Sequence, residues 1–347
     1  MTLQRVTLQS EEKIYSMKAV LLDSDHKISI AQVPMPKLHP GHAIVKVMAS
    51  ALNHREIWIQ KGLYPGMTLP CILGADGAGR VIEVESHESQ WKDKDVILYP
   101  AYDWGDQEKA PSRNFRVLGM PDPGTMAQYI SVPLSHLVLK PDYLSYLESA
   151  AIPVAGLTAW RALVRHGEIT RGSRVLITGI GGGVAQAGLS LAKAHGAIVY
   201  VTSSSQTKID DAIANGAKGG VNYKDQDWNI QLKDISGGID IVLDSSPSPK
   251  LDDYFKFLNY GGRVVTYGST GAPKTTISIS KFFLRHFQFI GTAMGSPREF
   301  SQLITFMESN QLRPNIHSVF ALDEAEAAIE SLKLGEQMGK IVLTHAE

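Results

Sequence analysis

Short apolar runs set the rhythm of this chain, and the rhythm changes near Pro141. Before it, strand-length runs occur at Met17 to Leu22, Lys27 to Gln32, His42 to Ser50, Arg80 to Val84, Ala127 to Val132 and Leu137 to Lys140. Turn residues such as Pro34, Pro36, Pro40 and Gly41 separate the first of them. Asn53 to Gly62 has helical character, and Tyr99 to Gly119 is long, polar and irregular, so it reads as a loop or lobe. This half is expected to be a β-rich barrel. After Pro141 a helical segment (Leu147 to Gly167) opens an alternation of helices with apolar strands at 174–178, 197–201, 219–222, 239–243, 262–267 and 286–291. Six strands separated by helical segments predict a doubly wound parallel sheet. Pro297 to Asn310 and Leu322 to Lys333 read as helices, while Val319 and Lys340 to Thr344 read as strands returning to the first half. The fold class is therefore α/β.

One stretch carries the clearest chemistry. Val175, Leu176 and Ile177 form a run suited to burial on both faces of a parallel sheet. Gly179 to Gly183 then makes a turn nearly free of Cβ atoms, and a helix begins at Val184, marked by Ala187, Leu189, Leu191 and Ala192. Strand, glycine turn and helix N-terminus together form a phosphate cradle, because free amides and the helix dipole both favour negative charge. The spacing G-x-G-x-x-G fits in no frame; G-x-x-G-x-x-A fits through Gly179, Gly182 and Ala185. A glycine-rich surface turn without a ligand is the alternative, but the next apolar strand, Ala197 to Val201, completes the βαβ unit that a dinucleotide site requires. That strand runs into Thr202, Ser203, Ser204 and Ser205, then Lys208, with no acid before Asp210. An NAD site places an acid there for the ribose, whereas hydroxyls and a cation suit a 2′-phosphate, so NADP(H) is the expected cofactor. Lys208 as a solvated helix lysine is the competing reading.

Composition narrows the remaining classes. The 347 residues, 44% hydrophobic and 20% charged, suit a two-domain globular enzyme with a large core. A formal net charge of −1 argues against nucleic acid or an anionic membrane as partner, and no apolar run reaches membrane-spanning length. The only cysteine is Cys71, which excludes an intramolecular disulfide and a four-cysteine zinc lobe; a reducing, cytoplasmic location is expected. Residues 1–16 are polar, with Arg5, Glu11, Glu12 and Lys13, and read as a flexible extension rather than a secretory signal.

Several motifs stand in a fixed order: Ala51-Leu-Asn-His-Arg-Glu, Gly62-Leu-Tyr-Pro, Leu69-Pro-Cys-Ile-Leu-Gly-Ala-Asp-Gly-Ala-Gly-Arg-Val, Gly156-Leu-Thr-Ala-Trp and the glycine turn. With them the chain resembles the medium-chain dehydrogenase/reductase superfamily from Met17 onward, and within it the zinc-free quinone oxidoreductase (zeta-crystallin-like) branch. The resemblance implies a GroES-like barrel (17–140 and 293–347) interrupted by a Rossmann domain (141–292), with the active site between them. It also implies a homodimer or homotetramer built on the sheet edge near Phe287 to Thr292. In zinc-dependent relatives a Cys, a His and a Cys hold the metal; the matching positions are Asn53, Ala75 and Ala155, and His54 with Asp76 do not make a site. No metal is expected.

Without a Lewis acid to hold an alkoxide, the remaining chemistry is hydride transfer to a carbon already activated by conjugation, as in quinones and α,β-unsaturated carbonyls. The resemblance places Asn53 and Tyr64 at the substrate oxygen, Thr158 near the nicotinamide, and Gly182, Gly183 and Val184 at the diphosphate. It places Ser203, Lys208 and Tyr223 at the adenosine phosphate. Gly179 and Ser204 belong to the same turns, and Ser245 and Gly268 end strands four and five, where ligand contacts gather. Trp58 departs from the tyrosine of several quinone reductases. Asn53 as a helix N-cap, Tyr64 as packing, and Asp244 as a turn acid are the plainer alternatives. His54, Arg55 and Glu56 read as a salt-bridged helix start, His286 as structural and Cys71 as a small core residue. The expected activity is an NADPH-dependent, zinc-independent reductase of quinones or enones. The rivals are a zinc-less dehydrogenase or reductase of another carbonyl and a non-catalytic NADPH-binding protein.

Overall fold

The structure, a computed structural model, describes residues 16–271 and 274–345. The extension expected over residues 1–16 lies outside the described residues except for Ser16.

The first half contributes β1 (Ser16–Leu22), β2 (Ile28–Pro34), β3 (His42–Ala51), α1 (Arg55–Gln60), β4 (Cys71–Ile72), β5 (Asp76–Val84), β6 (Asp95–Leu98), β7 (Ala101–Tyr102), β8 (Arg116–Leu118), β9 (Pro121–Asp122), β10 (Tyr129–Pro133) and β11 (Leu137–Leu139). The second contributes α2 (Tyr146–Ala150), α3 (Pro153–Trp160), β12 (Arg174–Ile177), α4 (Gly183–Ala194), β13 (Ile198–Ser203), α5 (Gln206–Ala214), β14 (Gly219–Asn222), α6 (Trp228–Ser236), β15 (Ile239–Asp244), β16 (Leu258–Thr266), α7 (Ile279–Leu284) and β17 (Gln288–Gly291). The chain closes with α8 (Pro297–Ser309), β18 (Ile316–Ala321), α9 (Ala325–Leu334) and β19 (Lys340–Thr344).

The strands β12 to β17 form one parallel sheet in the order β14-β13-β12-β15-β16-β17. Val175, Leu176 and Ile177 are fully buried at its centre, as a continuous apolar run between two helical layers should be. After β12 the chain winds outward to β14, then returns to the other side of β12 at β15. The carboxyl ends of β12 and β15 therefore flank the switch point, where a doubly wound sheet opens a crevice. Buried Asp244 ties these ends together: it accepts from Thr178 Oγ1 (2.8 Å), Tyr254 Oη (2.6 Å) and the Ser246 amide (3.0 Å). It is the turn acid of its plainer reading.

The barrel is organised on β3, which pairs antiparallel with β5, β10 and β19, while β18 extends the sheet beside β19. The C-terminal strands thus return to the first half. A three-stranded sheet, β2-β1-β4, packs beside it. Two segments differ from the sequence reading. The stretch 147–167 is not one helix: α2 ends at Ala150, Pro153 opens α3, and Arg161–His166 continues as a π-helical turn. Proline at a first helical position starts a helix, because its missing N–H needs no partner there. The segment 99–119 is not wholly irregular either, since β7 and β8 pair antiparallel and β9 joins β8.

At the far edge of the parallel sheet, β17 has no strand partner on one side among the described residues, and Ile279, Phe283, Leu284 and Phe289 beside it are exposed. Among the described residues no helix is long and apolar enough to cross a membrane.

Candidate active site

A cleft of about 1020 Å³ runs from the switch point of the parallel sheet to the barrel. It brings together Asn53, Tyr64, Thr158, Gly179, Gly182, Gly183, Val184, Tyr223, Ser245 and Gly268, ten of the residues expected from the sequence. Ser203, Ser204 and Lys208 are not among its lining.

The nucleotide end is built from glycines. Gly179 turns the chain at a φ of 61°, a region that favours a residue without Cβ. A Cβ at Gly183 would lie 2.7 Å from Lys340 Cδ, and one at Gly181 would lie 2.7 Å from the Gln337 carbonyl oxygen. Side chains are thereby excluded from the turn. Among the described residues no side chain caps α4 at Gly182 and no acid lies in its first turn, so its first amides are left for an anion. A dinucleotide diphosphate fits this cradle. Further out, Ser203 is buried, its hydroxyl accepting from the Ser205 amide (3.1 Å), and Ser204 is exposed. The Lys208 ammonium donates to the carbonyls of Gly335 (2.9 Å) and Gln337 (3.1 Å), joining α5 to the end of α9. Thr158 reaches the cleft, but its hydroxyl donates to the Val154 carbonyl one turn earlier (2.7 Å).

The substrate end is built on α1 and the segment before it. Asn53 is not the N-cap of α1. That position belongs to His54, and the Asn53 amide group faces two charges instead. Its Oδ1 accepts from Lys340 Nζ (2.6 Å), and its Nδ2 donates to Asp76 Oδ2 (2.9 Å). Lys340 and Asp76 form an ion pair of 2.8 Å at 5% and 0% side-chain exposure. The other Asp76 oxygen accepts from the Val154 amide (2.8 Å), fixing the start of α3. Nothing in the sequence singled out Lys340. The only available signal was a lysine at the head of the apolar run Ile341 to Leu343, a position where a solvated head group has no room.

Tyr64 lies under Arg55, whose guanidinium carbon sits 4.6 Å from the ring centre and whose Nε donates to the phenol oxygen (3.3 Å). The remaining Arg55 donors hold the carbonyls of Leu118 (2.6 Å) and Met120 (3.2 Å). Glu56 is fully buried and accepts from the Asn53 backbone amide (2.6 Å); burial pushes its carboxyl up against the opposing Arg55 charge. The His54 imidazole, edge-on to Trp58, is held below its usual range by burial and by Lys61. Cys71 is buried near Arg55, and burial raises its thiol to about 11.

A catalytic zinc does not fit these residues. The positions that would carry its ligands hold an amide already bonded to Lys340 and two alanines, and a lysine ammonium stands beside them. Among the described residues no group of three His, Cys, Asp or Glu could hold a metal ion.

Comparison with known proteins fits this architecture. Residues 39–142 match the alcohol dehydrogenase GroES-like domain family, and residues 183–309 match the zinc-binding dehydrogenase family. The zinc-type alcohol dehydrogenase-like protein YogA of Leptosphaeria maculans is 32% identical, over 92% of this chain and 94% of that protein. The quinone oxidoreductase of Homo sapiens is 28% identical, over 90% of this chain and 91% of that one. A crystal structure of an NAD-dependent alcohol dehydrogenase superposes with a TM-score of 0.87 at 31% identity, covering 94% of this chain and 99% of the other. This chain belongs to the medium-chain dehydrogenase/reductase superfamily and is an oxidoreductase of that type.

Proposed function

We propose that the protein is a zinc-independent reductase that transfers hydride from NADPH to quinones or α,β-unsaturated carbonyls. The observation that carries this reading is the Asn53–Lys340–Asp76 cluster, where metal-dependent relatives would hold their ligands. A buried lysine and a bonded amide leave no Lewis acid, which favours substrates whose conjugation spreads the developing charge. The quinone oxidoreductase among the relatives supports the same class.

Bound NADPH supplies the hydride. The residues of this chain do the rest. Gly183 and Val184 present the first amides of α4 to the diphosphate, beside the turn that Gly182 closes by donating to the Gly179 carbonyl (3.1 Å). Tyr223, Ser203, Ser204 and Lys208 surround the end of β13, where no acid repels a 2′-phosphate. Thr158, Ser245 and Gly268 shape the space between. Asn53 and Tyr64 offer hydrogen-bond donors to an oxygen gaining negative charge, and preorganised donors of this kind contribute about 2.7–4 kcal/mol each. The exposed edge β17, with Phe283, Leu284 and Phe289, suits pairing with a second copy into a homodimer. With one buried thiol, the chain suits the reducing cytoplasm.

The test is consumption of NADPH, with NADH alongside, against a panel of quinones and enones. Turnover with NADPH on either class is expected. Turnover confined to NADH with simple alcohols or ketones would overturn the reading. Metal analysis should find well under one zinc per chain; stoichiometric, tightly held zinc would refute the metal-free mechanism.

A further inference from the structure

We propose that the Lys340–Asp76 ion pair is a positioning device that locks the Asn53 amide so that one Nδ2 proton faces the substrate oxygen. This rests on the proposed reductase reading and adds to it two residues, one from β5 and one from the C-terminal β19, that act through Asn53.

The argument is a count of donors. The Lys340 ammonium has three protons, and its three partners are the Leu52 carbonyl, Asn53 Oδ1 and Asp76 Oδ2. The Asn53 amide has two N–H groups; one is taken by Asp76 Oδ2, the other has no hydrogen-bond partner among the described residues, and Asn53 lines the cleft. Reversing the amide would set its NH2 against an ammonium and its oxygen against a carboxylate. Both contacts would be repulsive, and the site is too buried for water to relieve them. The amide therefore has one orientation. Asp76 is held in turn by the Val154 amide, and its backbone carbonyl accepts from Thr125 Oγ1 (2.6 Å). The Lys340 stem packs against Gly183, so a single side chain spans the diphosphate turn and the substrate amide.

The experiment uses the full chain with Asp76→Asn and Lys340→Met together, which removes both charges and leaves no lone buried ion. At saturating NADPH, kcat on the best quinone or enone is expected to fall about 100-fold, as expected for removal of an oxyanion donor. Asn53→Ala alone should fall equally, and Asn53→Ala added to the double variant should lower kcat no further. A pair that merely stabilises the fold gives independent, multiplying losses. An unchanged kcat in the double variant, or the full Asn53→Ala loss on top of it, would overturn the proposal. A second readout needs neither turnover nor the double variant: the Asn53 side-chain amide resonances, assigned by their loss in Asn53→Asp. The proton held by Asp76 is expected to exchange slowly with solvent and the cleft-facing one much faster; equally rapid exchange of both would refute the locked orientation. Absence of turnover on every compound would sink the reductase reading while this measurement still decides the orientation.

Discussion

Arg161→Met should be among the most destabilising single changes outside the cleft. Arg161, in the π-helical turn, donates through Nη1 to Glu299 Oε2 (2.5 Å), with the two side chains 2% and 6% exposed. Its Nη2 holds the carbonyls of Glu108 (2.9 Å) and Lys109 (2.6 Å), and its guanidinium lies 4.8 Å from the Trp104 ring centre. This cluster fastens the 104–109 segment to the start of α8, next to Ala293 and Met294 of the cleft wall. Removing one partner of a buried pair leaves an uncompensated charge, at a cost of about 3–5 kcal/mol. A loss of about 4 kcal/mol is nearly a thousandfold in the folding equilibrium. Adding Glu299→Gln removes the orphaned charge and keeps the capping box at Ser296, which glutamine also completes. The double variant should therefore recover at least about 2 kcal/mol. Urea unfolding followed by tryptophan fluorescence measures both, with Trp104 as a local reporter. A single variant within about 1 kcal/mol of wild type, or a double variant no better than the single, would refute the reasoning.

Three further outcomes are expected. Tyr64→Phe should slow quinone or enone reduction about tenfold or more while leaving NADPH affinity in place, and an unchanged rate would make the tyrosine a packing residue. Lys208→Glu should weaken NADPH roughly 10- to 100-fold more than NADH, measured by equilibrium binding; any loss from the severed contacts to Gly335 and Gln337 affects both nucleotides, so equal weakening would refute the 2′-phosphate assignment. Burial holds the His136 and His345 imidazoles at about 4, so both are neutral when folded and titrate near 6.5 when unfolded. Their contribution is complete above pH 6.5 and lost as pH falls to about 4, at about 2 kcal/mol per histidine by pH 5. His136→Phe should flatten the urea midpoint between pH 7 and pH 5, and an unaltered slope would contradict this.

The central strands β12, β13 and β15 were readable because a strand buried on both faces writes itself as a continuous apolar run; all six strands overlap the expected stretches, although β16 begins earlier, at Leu258, and β17 later, at Gln288. The barrel was less so. β4, β7 and β9 are two-residue strands, and the four-residue β6 begins at the end of the charged run Lys92 to Asp95, so none carries a periodic signal long enough to count. The break at Pro153 follows from proline opening a helix, whereas the π-helical turn after Trp160 has its Arg161 held by Glu299 of α8, far along the chain. At the site, the glycine turn and the Asn53 and Tyr64 motifs announce themselves by order and spacing. Lys340 does not, because its meaning comes from partners 264 and 287 residues away. Arg55, read as part of a salt-bridged helix start, does stand 3.9 Å from Glu56, but its hydrogen-bond donors go to Tyr64 and to two backbone carbonyls.

The solitary thiol has one more consequence. Quinones and enones are soft electrophiles that alkylate cysteine thiolates, so an enzyme turning them over is exposed to inactivation by its own substrate. Cys71 is buried, its Sγ faces the carbonyls of Pro121 and Asp122, and with its ionisation near 11 only about one molecule in ten thousand carries a thiolate at pH 7. The chain offers such compounds almost no nucleophilic sulfur, and it is built to survive the electrophiles it is proposed to reduce.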